Sequence, residues 1–156
     1  FVDGVNFAGE VPSMTLPKLT TKTDEYRGGG MAGPVEMDQG LEKMEASFVT
    51  KGVRRESLKN FGLADGTAFN ATFRGAFKGL KGAVTAVVAT LRGRLKEVDM
   101  GDWKAGDAAE IKHAIAVTYY KLEIDGRLMY EIDMVAGIQV IDGKDQLLEV
   151  RNALGL

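Results

Sequence analysis

Cysteine is absent from this chain of 156 residues, and histidine occurs once, as His113. The first absence excludes a disulfide scaffold and thiolate metal sites, and the second leaves metal catalysis to carboxylates alone. No apolar run approaches the roughly 20 residues of a membrane helix, and no charged-then-apolar leader opens the chain, so the expectation is a soluble protein not exported by that route. An excess of basic charge is missing too. The formal net charge is -2 with charged residues at 27%, an ordinary soluble surface rather than the basic footprint of a nucleic-acid binder. No serine stands in a recognisable nucleophile context, and His113 lies among apolar residues, where a structural role is the simpler reading. No catalytic centre, metal site or cofactor site is expected.

The length suits one domain, 1–156, with a core of its own. Phe1 stands where a methionine would, and "FVDGVNF" already alternates, so a few residues are expected to precede it. Glycine is plentiful. "YRGGGMAGPVEMDQG" (26–40) places Gly28, Gly29 and Gly30 in a row. A phosphate-cradling loop needs a helix N-terminus behind it and often a following lysine. Here Pro34, Val35, Glu36 and Asp38 follow, so the stretch reads as a flexible connection.

Alternation of period two dominates the rest. Phe69, Ala71, Phe73, Gly75 and Phe77 share one face of a strand; Met44, Ala46 and Phe48 do so in another, and Leu128, Tyr130, Ile132 and Met134 in a third. Val84 to Val98 and Glu110 to Asp125 flank "DMGDWKAGD", whose glycines and aspartates suit a hairpin turn. In the first, Val87, Ala89, Leu91 and Leu95 oppose Arg92, Arg94 and Lys96. In the second, Ile111, Ile115, Val117 and Tyr119 lie on one face, and Ala114, Ala116, Tyr120, Leu122 and Ile124 on the other. Burial of both faces is therefore expected, with a neighbouring subunit as one source of cover.

Two short helices are expected, one in "RRESLKNFGL" with Gly62 as its stop, and one at the C-terminus with Leu147, Val150 and Leu154 on a face and Gly155 past its end. The fold class is mainly β, an antiparallel sandwich or barrel with one or two short appended α-helices. The acids Glu97, Asp99, Asp102, Asp107 and Glu110 lack the spacing of a calcium loop and read as a solvated hairpin tip. Trp103 at that tip is open to two readings, an anchor for a partner or a ring folded back on its own ribbon. Arg54 and Arg55 read as a solvated helix face before a phosphate grip.

The ordered set "SMTLPKLTTKTDEYRGGGMAGPVEMDQGLEKMEA" (13–46), "LRGRLKEVDMGDWKAGDAAEIKHAIAVTYYKLEIDG" (91–126) and "IDGKDQLLEVRNALGL" (141–156) resembles the major tail tube protein of contractile-tailed bacteriophages, most of all the tubes of R-type pyocins and related Pseudomonas prophage tails. The resemblance implies a non-enzymatic virion or pyocin component, assembled in the host bacterial cytoplasm and released by lysis. Hexameric rings would stack into a hollow conduit that sheath contraction drives through the bacterial envelope, for DNA delivery or membrane depolarisation. Its partners would be other copies of itself, the sheath, baseplate and tail terminator proteins, with transient passage of DNA, no specific nucleic-acid binding and no membrane anchoring. A type VI secretion-like tube carrying effectors and a monomeric ligand-binding β-barrel are the alternatives. Subunit contacts are expected at Tyr26, Arg27, Gly28, Gly29, Gly30, Met31, Trp103, Ile111, Ile115, Val117 and Tyr119. Arg92, Arg94 and Lys96 are expected to be turned away from the lumen or balanced by Glu123 and Asp125 on the adjoining strand.

Overall fold

The computed structural model describes residues 1, 4–59, 61–62 and 69–156. Among them, the chain forms β1 (Ser13–Thr15), β2 (Thr21–Tyr26), β3 (Val35–Leu41), β4 (Met44–Lys51), α1 (Arg55–Leu58), β5 (Phe69–Lys78), β6 (Val84–Asp99), β7 (Glu110–Ile124), β8 (Arg127–Asp133), β9 (Ile138–Ile141), β10 (Lys144–Asp145) and α2 (Leu148–Leu154). The expected mainly β fold with two short helices is present.

The long β6–β7 ribbon organises the antiparallel eight-stranded sheet. β5 pairs with the first half of β6. On the far side of β7, β4 covers Glu110 to Val117 and β8 covers Tyr119 to Ile124. Alternating apolar residues give this sheet one buried face. Phe48 on β4, Phe69 on β5, Leu91 and Leu95 on β6, Ile115 and Tyr120 on β7 and Ile132 on β8 join one core cluster. Side chains from five strands of one sheet meet only if the sheet curls over its own face, which gives a barrel-like body. Phe48 sits at the centre, 6.0 Å from the ring of Phe69, 5.7 Å from Phe73 and 4.3 Å from His113.

The expected two-faced burial of β7 has a different cause. Arg92 and Gly93 are neighbours on β6, but they pair with Tyr119 and Val117, leaving Thr118 as an extra residue on β7. A bulge of this kind reverses the parity of all that follows. Ile111, His113, Ile115 and Val117 face the core before it, and Tyr120 and Leu122 face the core after it. A second irregularity leaves Lys96 extra on β6, between Leu95 opposite Ile115 and Glu97 opposite Ala114. Between the two bulges the backbones crowd. A Cβ on Gly93 would lie 2.1 Å from the Ala116 carbonyl oxygen, so only glycine fits there.

Three further expectations are corrected. The inward face of β5 holds for Phe69 and Ala71, but Phe77 is 64% exposed because the β5–β6 hairpin runs past the core. Met134 follows β8 into a turn and is exposed. The first helix is a single turn, with Lys59 at its C-cap; Gly62 is left-handed, and its N–H donates to the Leu95 carbonyl. Asn60 and Leu63 of the expected helix lie outside the described residues. The C-terminal helix ends as expected, with Gly155 left-handed at its C-cap, yet none of its residues is buried.

Candidate assembly surfaces

β2 and β3 form a separate two-stranded sheet whose residues are exposed except for half-buried Leu41. A two-stranded hairpin is marginal in water without a face to pack on. Its connection carries Tyr26, Arg27, Gly28, Gly29, Gly30 and Met31. The Met31 N–H donates to the Gly28 carbonyl, and Gly30 at φ 83° occupies the third position of that turn, where a type II turn requires positive φ. Gly28 lies against Tyr26 and Met31, with its N–H 3.0 Å from the Met31 sulfur. The glycines thus serve a turn closed by local packing, while Gly29 faces open space.

At the tip between β6 and β7, the Trp103 Nε1–H donates to the Met100 carbonyl at 3.1 Å, yet the residue is 69% exposed. One edge of the indole is held by its own loop, and the rest is presented outward. Asp99 supports the same loop by accepting from the Gly101 N–H. Among the described residues no three His, Asp or Glu side chains group as metal ligands.

The other interface candidates divide. Ile111, Ile115 and Val117 are buried in the subunit's own core, which removes them from its surface. Tyr119, on the opposite face beyond the bulge, is half-buried, and Arg92 lies 4.8 Å above its ring. Burial, then the nearby Glu131, pushes the Tyr119 phenol up from its usual range.

Arg92, Arg94 and Lys96 are exposed on the face away from the core, but Glu123 and Asp125 do not balance them. Glu123 is opposite Val88 in register and pairs with Lys121 at 3.1 Å, holding that lysine's pKa above its usual value. Asp125 sits in the β7–β8 turn at φ 50°, where its Oδ1 accepts from the Ala86 N–H. The partner of Lys96 is Glu45 on β4. Glu45 is opposite Ala116, which is opposite Arg94, so Lys96 reaches across the low alanines of β7. Lys96 first, then Lys43 at 3.4 Å, depresses the Glu45 pKa. Among the described residues Arg94 has no ion-pair partner.

Arg54 does not lie on a solvated helix face. It precedes α1, lies 4.7 Å above the Phe7 ring, donates to the Asn6 carbonyl at 3.0 Å and faces Glu10 at 3.4 Å. It pins the N-terminal segment to the body. His113 is 1% exposed, and neither ring nitrogen makes a hydrogen bond, although the carbonyls of Phe48 and Ile111 stand nearby. Burial pushes its pKa below the usual histidine value, and the ring acts as a flat partner for Phe48.

The described residues thus form a β-rich body with an uncovered β2–β3 hairpin and exposed apolar side chains at its tips. Residues 1–155 match the family described as phage tail tube protein FII. The major tail tube protein of Serratia phage KSP20 is 40% identical over 159 residues, covering all of this chain and 92% of that protein. The tail tube protein of Escherichia phage P2 is 34% identical over 160 residues, covering all of this chain and 93% of that one. The chain belongs to the phage tail tube protein family; it is a structural component of a tail tube and not an enzyme.

Proposed function

We propose that this chain, acting as one domain, forms hexameric rings that stack into the inner tube of a contractile tail. The observation that carries the reading is the apolar surface left at both ends of the eight-stranded sheet. Phe77, Leu80 and Val84 are exposed at the β5–β6 hairpin, and Val135, Leu148, Val150 and Leu154 around β8, β9 and α2. Surfaces of this kind mark interaction sites, and two different patches on one chain suit a head-to-tail contact that closes into a ring. The outer edge of β5, where only the Thr72 N–H and carbonyl are seen bonded to Phe1, would be covered beyond that point in the same step. The β2–β3 hairpin, with its glycine turn, and Trp103 supply reach toward adjacent rings.

The mixed-charge face suits a bore. Every cation that neutralises a phosphate strengthens DNA binding through counterion release. On this face Lys96 is held by Glu45, Lys121 by Glu123, and Arg92 lies over Tyr119, while among the described residues Arg94 has no ion-pair partner. Six chains at -2 each give a formal ring charge of -12. Such a lumen lets DNA slide in a phage, or lets ions through in a headless pyocin. Sheath, baseplate and tail terminator proteins are the partners outside the tube, and the tube is driven outward on contraction. Light scattering after size exclusion tests the ring. The expected particle is at least six times the 16.8 kDa chain, about 101 kDa, and a strict monomer at high concentration contradicts it.

A further inference from the structure

The two ends of the sheet carry surfaces that match each other. At one end, a half-open groove of about 610 Å³ runs between the N-terminal segment and strands β5 and β6, lined by Phe7, Val11, Met14, Phe73 and Phe77, with Arg74 beside them. At the other end, α2 follows β10. It is fastened by Arg151, whose guanidinium donates to the Gly137 carbonyl at 2.9 Å and pairs with Asp145. That anchor leaves Val150 and Leu154, four residues apart on one helix face, 52% and 68% exposed.

An uncovered apolar helix and an unfilled apolar groove do not meet within one chain. The order β5–β6–β7–β8–β9–β10 sets them five strand spacings apart along the curled sheet. Charge matches as well: among the described residues Arg74 beside the groove and Glu149 on α2 both lack an ion-pair partner. We infer that α2 of each protomer docks into the groove beside β5 of a neighbouring copy, Val150 and Leu154 packing against Phe73 and Phe77 with Glu149 facing Arg74. The contact joins unlike surfaces, so repeating it around an axis closes a ring. It rests on the ring reading given above and supplies the surfaces that make it.

The absence of cysteine makes the test clean. Phe77 and Leu154 are both exposed, so F77C and L154C leave the subunit core untouched. The double variant, oxidised after assembly, is expected to give a covalent ladder up to six chains on a non-reducing gel, with no species above a dimer from either single variant. R74E and E149R are each expected to lower ring yield at least tenfold, and combining them to restore most of it. Wild-type protein that never assembles overturns the ring reading and this contact together. Wild-type assembly without the ladder, and without rescue by the charge swap, leaves the ring standing, assigns the groove to another occupant and overturns this contact alone.

Discussion

Substituting alanine for Gly93 probes the bulged centre of the ribbon. The added Cβ would stand 2.1 Å from the Ala116 carbonyl oxygen, 2.9 Å from its carbon and 3.0 Å from the Val117 Cα. A tolerable carbon–oxygen contact in a sheet begins near 3.3 Å, so β6 and β7 must separate by about 1.2 Å. The obstacle is backbone in the middle of a ladder, and no side-chain rotation relieves it. Overpacking of this kind costs about 1–3 kcal/mol, and a clash against backbone belongs near the top of that range. Replacing glycine in a strand ordinarily returns about 0.5–1 kcal/mol, leaving a net loss of about 2 kcal/mol. With a urea slope near 2 kcal/mol/M, the midpoint should fall by about 1 M, and the melting temperature by about 4–8 °C for a domain of this size. Urea titration of dilute, unassembled subunit by circular dichroism reads the shift. G29A is the control, because a Cβ there meets nothing within 4 Å and φ is not positive. A G93A midpoint equal to or above wild type would refute the account of the double bulge.

G29V should leave the thermal stability of the subunit unchanged, since the side chain enters open space, while lowering tube yield if that turn meets another copy; normal yield removes the turn from the interface. His113 gives stability a pH dependence of known sign. Burial lowers its native pKa beneath the unfolded value of 6.5, so the unfolded chain binds the extra proton, and stability should decline as pH falls below about 6.5. In urea titrations at pH 7.5, 6.5 and 5.5, H113Q should lose part of that slope, and identical slopes would contradict the burial argument. Calorimetric titration with calcium, magnesium or zinc should find no site tighter than about 10⁻⁴ M; a stoichiometric micromolar site would overturn the reading of the acidic hairpin tip.

The strands were legible because one face of the sheet is buried, and burial imposes period two on residues such as Met44, Ala46 and Phe48. The glycine at the end of α2 was legible as well, since a left-handed cap at Gly155 favours that residue. The bulge at Thr118 was not. An extra residue in one strand leaves the same trace as burial on both faces, and only pairing with Arg92 and Gly93 separates the two. That is why Ile111, Ile115 and Val117 read as interface when they are core. The Lys96–Glu45 pair was hidden for a related reason: it spans 51 positions and depends on the joint register of β4, β7 and β6. Glu123 and Asp125 looked better by proximity along the ribbon, but the first is held by Lys121 and the second by a turn. The glycine run and the hairpin tip drew attention to the Tyr26–Met31 loop and Trp103, the resemblance gave them an interface role, and the structure adds the exposure of Tyr26 and Trp103. It also adds the uncovered face of α2, whose regular spacing gave no sign that it would lie outside the core.

The central claim is that this chain closes into rings and stacks into a hollow tube, and electron microscopy of the purified, concentrated protein tests it most directly. The expected images are tubes of uniform width with an open bore and six-fold end-on views. Particles of single-subunit size at every concentration, or solid fibres without a bore, would contradict it.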